Sequence, residues 1–135
     1  MARATPRAPA PLPLPSDAEV AILAVLWQLG PSTVRDVHEA LGKRNRYTTT
    51  LKQIQLMTNK GLLTRTERFR SHVYEPGAPK EQTQAQIAAD VLTRAFGNSA
   101  TSLVLGALSA RPASDAELAA IRRLVAEFEK RRGSR

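Results

Sequence analysis

The chain has no cysteine among its 135 residues, and that absence removes disulfides, thiolate zinc sites and thiol catalysis from consideration. It also lacks a long apolar run. The longest, VAILAVLW at 20–27, falls far short of the roughly 20 residues that a membrane-spanning helix needs. The opening MARATPRAPAPLPLP has two arginines and five prolines but no apolar centre, so it does not read as a signal peptide. Residues 1–14 are expected to be a disordered, Pro-rich, polyproline-like tail, either simply solvated or with Arg3 and Arg7 brushing phosphates. A nucleophile–base pair, a phosphate-cradling glycine loop and a metal cluster are likewise missing, and neither His38 nor His72 has ligand spacing around it. The expectation is therefore a cytoplasmic protein that is not an enzyme, with no cofactor, no metal and no membrane partner.

Acids are scarce as well. Twelve Asp and Glu face twenty Lys and Arg, leaving a net charge of +8, and such a chain prefers a polyanion, nucleic acid before an anionic membrane surface. The excess is local. Residues 32–75 hold nine Lys/Arg against four Asp/Glu and residues 111–135 hold seven against four, whereas 1–31 and 76–110 are each neutral.

What is present reads as six helices and one hairpin. SDAE at 16–19 is a capping box ahead of a helix with Val20, Leu23, Leu26 and Trp27 at helical spacing, stopped by Gly30-Pro31. Thr33 caps a second helix with Val34, Val37 and Leu41 inward, and the basic link KRNR at 43–46 follows. Thr48 is the expected cap of a third helix that Gly61 ends. Around Ile54, at 100° per residue, Thr50, Leu51, Met57 and Thr58 fall on the inner face; Thr49, Lys52, Leu56 and Asn59 point away, flanked by Thr48, Gln53 and Gln55. The outward side is polar and free of acids. LLTRTERFRSHVYEP at 62–76 alternates as two short strands around RFRS, a β-hairpin. Three helices and a hairpin in that order make a winged helix-turn-helix, whose third helix enters the DNA major groove.

After Pro76 and Pro79 the composition turns to Ala, Gln and Leu. Helices are expected over 80–96, with Ile87, Val91, Leu92 and Phe96 on one stripe, over 99–109, and after a second SDAE at 114–117. Three short amphipathic helices cannot bury such stripes alone, so pairing with a second copy is expected. The fold class is thus mainly α: a winged helix-turn-helix domain of three helices and a two-stranded wing at 15–77, then a three-helix dimerisation domain at 78–131. Ile87, Val91, Leu103, Leu105, Leu108, Leu118, Ile121, Leu124, Val125 and Phe128 are the candidate dimerisation residues.

LPSDAEVAILAVLWQLGPSTVRDVHEAL, YTTTLKQIQLMTNKGLLTR, HVYEP and FGNSATSLVLGAL together resemble the penicillinase and methicillin-resistance repressor family (BlaI/MecI/CopY type) over about residues 14–130. Trp27, Gly30-Pro31, Thr33-Val34-Arg35, Tyr47-Thr48-Thr49, Lys60-Gly61-Leu62 and Tyr74 stand where the family pattern has them. The resemblance implies a homodimeric transcriptional repressor bound to a (pseudo)palindromic operator in double-stranded DNA. With that fold granted, Thr48, Thr49, Lys52, Gln53 and Gln55 are the candidate base readers. Arg46, Tyr47, Asn59, Lys60, Arg65, Arg68 and Arg70 are the candidate phosphate contacts. For Tyr47, packing against the first helix stays an equal alternative, and charge alone equally allows a nonspecific, nucleoid-associated binder. Leu56 departs from the Arg that many relatives carry. Several relatives are inactivated by cleavage at an Asn-Phe bond, but the corresponding pair here is Gly106-Ala107, which argues against a sensor protease as partner.

Overall fold

The computed structural model describes residues 12–42 and 45–133. Among them the chain runs α1 (Asp17–Leu29), α2 (Val34–Ala40), α3 (Tyr47–Lys60), β1 (Leu63–Arg68), β2 (Ser71–Pro76), α4 (Lys80–Phe96), α5 (Ala100–Ala110) and α6 (Asp115–Gly133). It divides into two compact units, 1–89 and 90–135.

Local chemistry starts the first two helices. Ser16 Oγ accepts the Glu19 amide at 3.3 Å while Glu19 Oε1 accepts the Ser16 amide at 2.9 Å, and Thr33 and Asp36 make the same reciprocal pair at 3.1 Å each. Each box satisfies two amides that a helix start leaves free. The third helix begins differently from expectation. Arg46 is its N-cap, with no capping side-chain bond, because the Thr49 and Thr50 amides already bond to the Arg46 carbonyl at 3.0 and 3.2 Å. Thr48 is therefore the second helical residue, exposed, and not the cap.

The core of the first unit joins Ile22, Leu23 and Leu26 of α1 to Val34 and Val37 of α2, Ile54 and Met57 of α3, and Leu62, Leu63 and Tyr74 at the hairpin base. Val20 and Trp27 lie at the edges of the α1 stripe and are only half-buried. The buried stripe is Glu19, Ile22, Leu23 and Leu26, so an acid in the first turn of the helix is itself buried. Lys60 makes that possible: its Nζ lies 2.9 Å from Glu19 Oε2.

Strands β1 and β2 pair antiparallel from Leu63↔Pro76 to Arg68↔Ser71. The hairpin is fastened to the α1–α2 link by two bonds, Ser32 amide to Tyr74 carbonyl at 3.0 Å and Tyr74 amide to Ser32 carbonyl at 2.8 Å. Its exit is tight. A Cβ on Gly77 would stand 2.1 Å from the Gly61 carbonyl oxygen, so only glycine fits where the Gly77 amide bonds to Leu62.

The expected boundary at 77/78 moves into α4. Thr83 is buried and Gln86 Nε2 donates to the Leu12 carbonyl at 2.6 Å, so the first turns of α4 belong to the N-terminal unit. The same bond holds Leu12 of the expected 1–14 tail, which packs on the core, whereas Pro13 and Leu14 are exposed and residues 1–11, Arg3 and Arg7 included, lie outside the described residues. In the second unit, Ser99 and Ser114 accept the Ser102 and Glu117 amides at 3.1 Å each. No residue of α5 or α6 is buried.

Burial pushes the Glu19 carboxyl up, but the Ser16 amide and the Lys60 ammonium outweigh it and hold the group below the ordinary glutamate range. With the folded value lowered, the stabilisation is complete above that range and is lost as pH falls through the folded value. Glu19→Gln keeps an acceptor for Ser16 but no charge. Thermal melts should therefore show a lower Tm than wild type near neutral pH and convergence in acid; two parallel Tm–pH curves would contradict this.

Candidate nucleic-acid interface

The burial of Thr50, Ile54 and Met57, each 0% exposed, decides which side of α3 faces solvent. Thr48, Thr49, Lys52, Gln55, Leu56 and Asn59 are exposed on the far side, and α3 contains no acid. Donors, acceptors and one ammonium thus share a surface without a carboxylate to compete for them. Two candidates fall elsewhere. Gln53 is half-buried and lines a cleft of about 320 Å³ with Ala18, Ala21, Ala40, Leu41 and Asn45, apart from the outward group. Lys60 lies on the same flank and is drawn to Glu19, its side chain still 46% exposed. Both residues stand near 100–120° from Ile54 on the side toward α1.

The start of α3, which has no capping side chain, is held by α2 instead. The Tyr47 ring meets the His38 ring edge to face, centroids 5.6 Å apart at 81°, and the Arg35 guanidinium carbon lies 6.0 Å from the Tyr47 centroid. His38 Nδ1 is 3.3 Å from Thr50 Oγ1. Tyr47 therefore packs on α2, while 41% of it stays exposed. Beside it a cleft of about 400 Å³ opens between the start of α2 and β2, lined by Thr33, Arg35, Tyr47, Leu51, His72 and Tyr74 among others.

The hairpin extends the same surface. Beyond Leu63 every β1 residue is exposed, and Arg65, Arg68 and Arg70 are held by no ion pair among the described residues; nor are Arg46 and Lys52. Lys43 and Arg44 lie outside the described residues. Such cations suit phosphates, which set register, whereas the short side chains of α3 suit base edges. Arg35 is signalled in the sequence only by its place in the Thr33-Val34-Arg35 motif, and the exposed Phe69 at the wing tip by nothing. Among the described residues no group of His, Asp and Glu could hold a metal ion, and no helix is long and apolar enough to cross a membrane.

Of the candidate dimerisation residues, Ile87 belongs to the first unit and the others to the second. Leu105, Leu108, Leu124, Val125 and Phe128 are exposed, and Ile87, Val91, Leu103, Leu118 and Ile121 half-buried. Val104, absent from the candidates, joins Ala100, Leu124, Val125 and Phe128 around an apolar groove of about 510 Å³.

Residues 15–127 match the family model described as Penicillinase repressor. The chain is similar to the Transcriptional regulator BlaI of Mycobacterium tuberculosis, in strains CDC 1551 / Oshkosh and ATCC 25618 / H37Rv, at 34% identity over 122 residues, 88% of either chain. Among solved structures it is similar to the monomeric form of Bacillus licheniformis BlaI in complex with the blaP half-operator, at 25% identity and TM-score 0.47, covering 53% of this chain and 89% of that one. It is also similar to a MarR family protein from Bacillus stearothermophilus, at 16% identity and TM-score 0.49, covering 87% and 75%.

The placement of Lys60 separates it from the other cations. Lys60→Met should lower Tm at neutral pH and leave the salt dependence of duplex-DNA affinity unchanged. Arg65→Ala should leave Tm unchanged and flatten the log–log salt slope by about 0.9. Equal slopes for the two variants would contradict the division.

Proposed function

The chain belongs to the penicillinase repressor family, a family of transcriptional repressors and not of enzymes, and from that premise we propose that it acts in the cytoplasm as a homodimer reading a twofold-symmetric operator with α3. The observation that carries this reading is the acid-free, exposed outer face of α3, framed by an arginine-bearing wing. Thr48, Thr49, Lys52 and Gln55 approach base edges: glutamine pairs with adenine, lysine with guanine, and a threonine methyl rests against a thymine methyl. Arg46, Tyr47, Asn59, Arg65, Arg68 and Arg70 meet phosphates. Gln53 and Lys60 are left out of these sets because each faces α1.

The exposed leucines, valines and phenylalanine of α5 and α6 support a second copy as the cover for the C-terminal unit. Side chains of that kind remain in water only at a cost of roughly 25 cal/mol per Å². Two copies related by a twofold axis would set two α3 helices on half-sites about one or more DNA turns apart. Repression then follows from occupancy: the bound dimer blocks a promoter, with no chemistry on the DNA. Gly106-Ala107, in place of the family's cleavable pair, lies inside α5 with the Phe96 ring 3.2 Å from where a Gly106 Cβ would stand. Release by cleavage at that bond is not part of this reading.

Duplexes selected by the wild-type protein from a randomised pool, competed against scrambled DNA in anisotropy titrations, test the proposal. Wild type should prefer the selected duplex by about a thousandfold or more. Lys52→Ala and Thr49→Ala should each lose roughly tenfold of that preference with unchanged circular dichroism and Tm. Undiminished discrimination in both variants would move the reading surface off α3, and equal wild-type affinity for both duplexes would leave a nonspecific binder.

A further inference from the structure

The wing turns in two residues, Phe69 and Arg70, between the paired Arg68 and Ser71. Both have positive φ, 50° and 64°, as a type I′ hairpin requires. Glycine or asparagine relieves that requirement, and Asn-Gly is the usual solution. Here the first position carries a bulky aromatic, for which the left-handed region is strained. Turn stability alone does not select phenylalanine there.

Neither does packing. Phe69 is 93% exposed, and the tip from Thr64 through His72 has no buried residue. From Leu63 to Arg68 the strand advances about 17 Å, so the ring is carried well away from the core. An aromatic side chain presents on the order of 150–250 Å² of surface, and nearly all of this one faces solvent, with the guanidinium-bearing Arg68 and Arg70 next to it in the chain. Strain and full exposure combine at one residue, with cations on both sides.

Resting on the DNA-binding reading above, we infer that Phe69 is an apolar wedge that enters the minor groove beside the half-site read by α3 and partly unstacks one base step. With α3 in the major groove, the wing projects toward the adjoining minor groove. Arg68 and Arg70 can take its phosphate walls, leaving the ring to meet the base-pair edges between them. Phenylalanine is among the side chains that open base steps from the minor groove, and the cost of opening is lowest at flexible pyrimidine–purine steps. The wing would thereby add a sequence preference outside the bases α3 touches, read as deformability and not as hydrogen bonds. DNA is favoured over an apolar partner surface, since an exposed aromatic with an arginine on either side in the chain suits a groove walled by phosphates.

The test uses full-length protein and the selected duplexes, with a TpA or a GpC step placed in turn at each flanking position and, in the TpA duplexes, 2-aminopurine in place of the step's adenine as reporter of unstacking. Wild type should bind more tightly when TpA occupies one flanking position and should brighten the probe at that position only. Phe69→Asn keeps a residue suited to positive φ, so Tm should hold or rise. Its affinity for the TpA-flanked duplex should drop on the order of tenfold, the scale of losing one base–aromatic contact, and both the flank preference and the brightening should vanish. Phe69→Leu, which keeps an apolar wedge, should restore part of each. Preference for selected over scrambled half-sites should survive in both variants. If Phe69→Asn matches wild type in affinity and flank dependence, or if wild type brightens the probe nowhere, the wedge is wrong while the α3 reading stands. If wild type does not prefer the selected duplex at all, the parent reading fails and the wedge falls with it.

Discussion

The structure depends on the burial of one stripe of α3. Thr50, Ile54 and Met57 are sealed against α1 and α2, and on a helix of 3.6 residues per turn that constraint fixes the azimuth of every other side chain. Thr49, Lys52 and Asn59 face outward because Ile54 faces inward. The edge-to-face contact of Tyr47 with His38 and the bond between His38 and Thr50 hold the N-terminal turn where no capping side chain does. At the other end Gly61 in the left-handed region turns the chain directly into the wing, so reading helix and wing are positioned by the same few buried groups.

Electrostatics then sorts the cations. A basic chain invites the view that each lysine and arginine serves the polyanion, yet Lys60 is drawn to Glu19, a carboxylate that sits among the buried residues of α1. Removing either partner would leave the other with an uncompensated charge, severe for the buried carboxylate and mild for the exposed ammonium. Arg65, Arg68 and Arg70 have no such partner among the described residues. Their charge is presented to solvent along the hairpin, where counterions, or phosphates in their place, must meet it.

Much of this was legible in the sequence where the interaction is local. The capping box of α1 and the Thr33 cap of α2 link residues three apart, and the hairpin alternates with its strands, so these could be read directly. The inner face of α3 could be read from its period. What failed needed knowledge of neighbours. Which flank of α3 meets α1 is a tertiary fact, so nothing local in the sequence sets Gln53 and Lys60 apart from the other candidate DNA contacts. Thr48 resembled a cap because threonine favours that position, but the Arg46 carbonyl starts the helix earlier. The burial of Leu12 and Thr83 comes from contacts between the entry segment and α4, far apart in sequence, which no composition shift near Pro76 and Pro79 could announce. Phe69 was invisible because a turn reads as polar punctuation until its dihedral angles are known.

Backbone amide shift mapping of isotopically labelled protein, titrated with a selected duplex, locates the DNA-contacting surface residue by residue. The largest perturbations should fall at Thr48, Thr49, Lys52, Gln55 and the turn from Arg68 to Ser71, with Gln53 and Lys60 little affected. Perturbations centred on the basic end of α6, or spread evenly over the arginines with α3 silent, would contradict it.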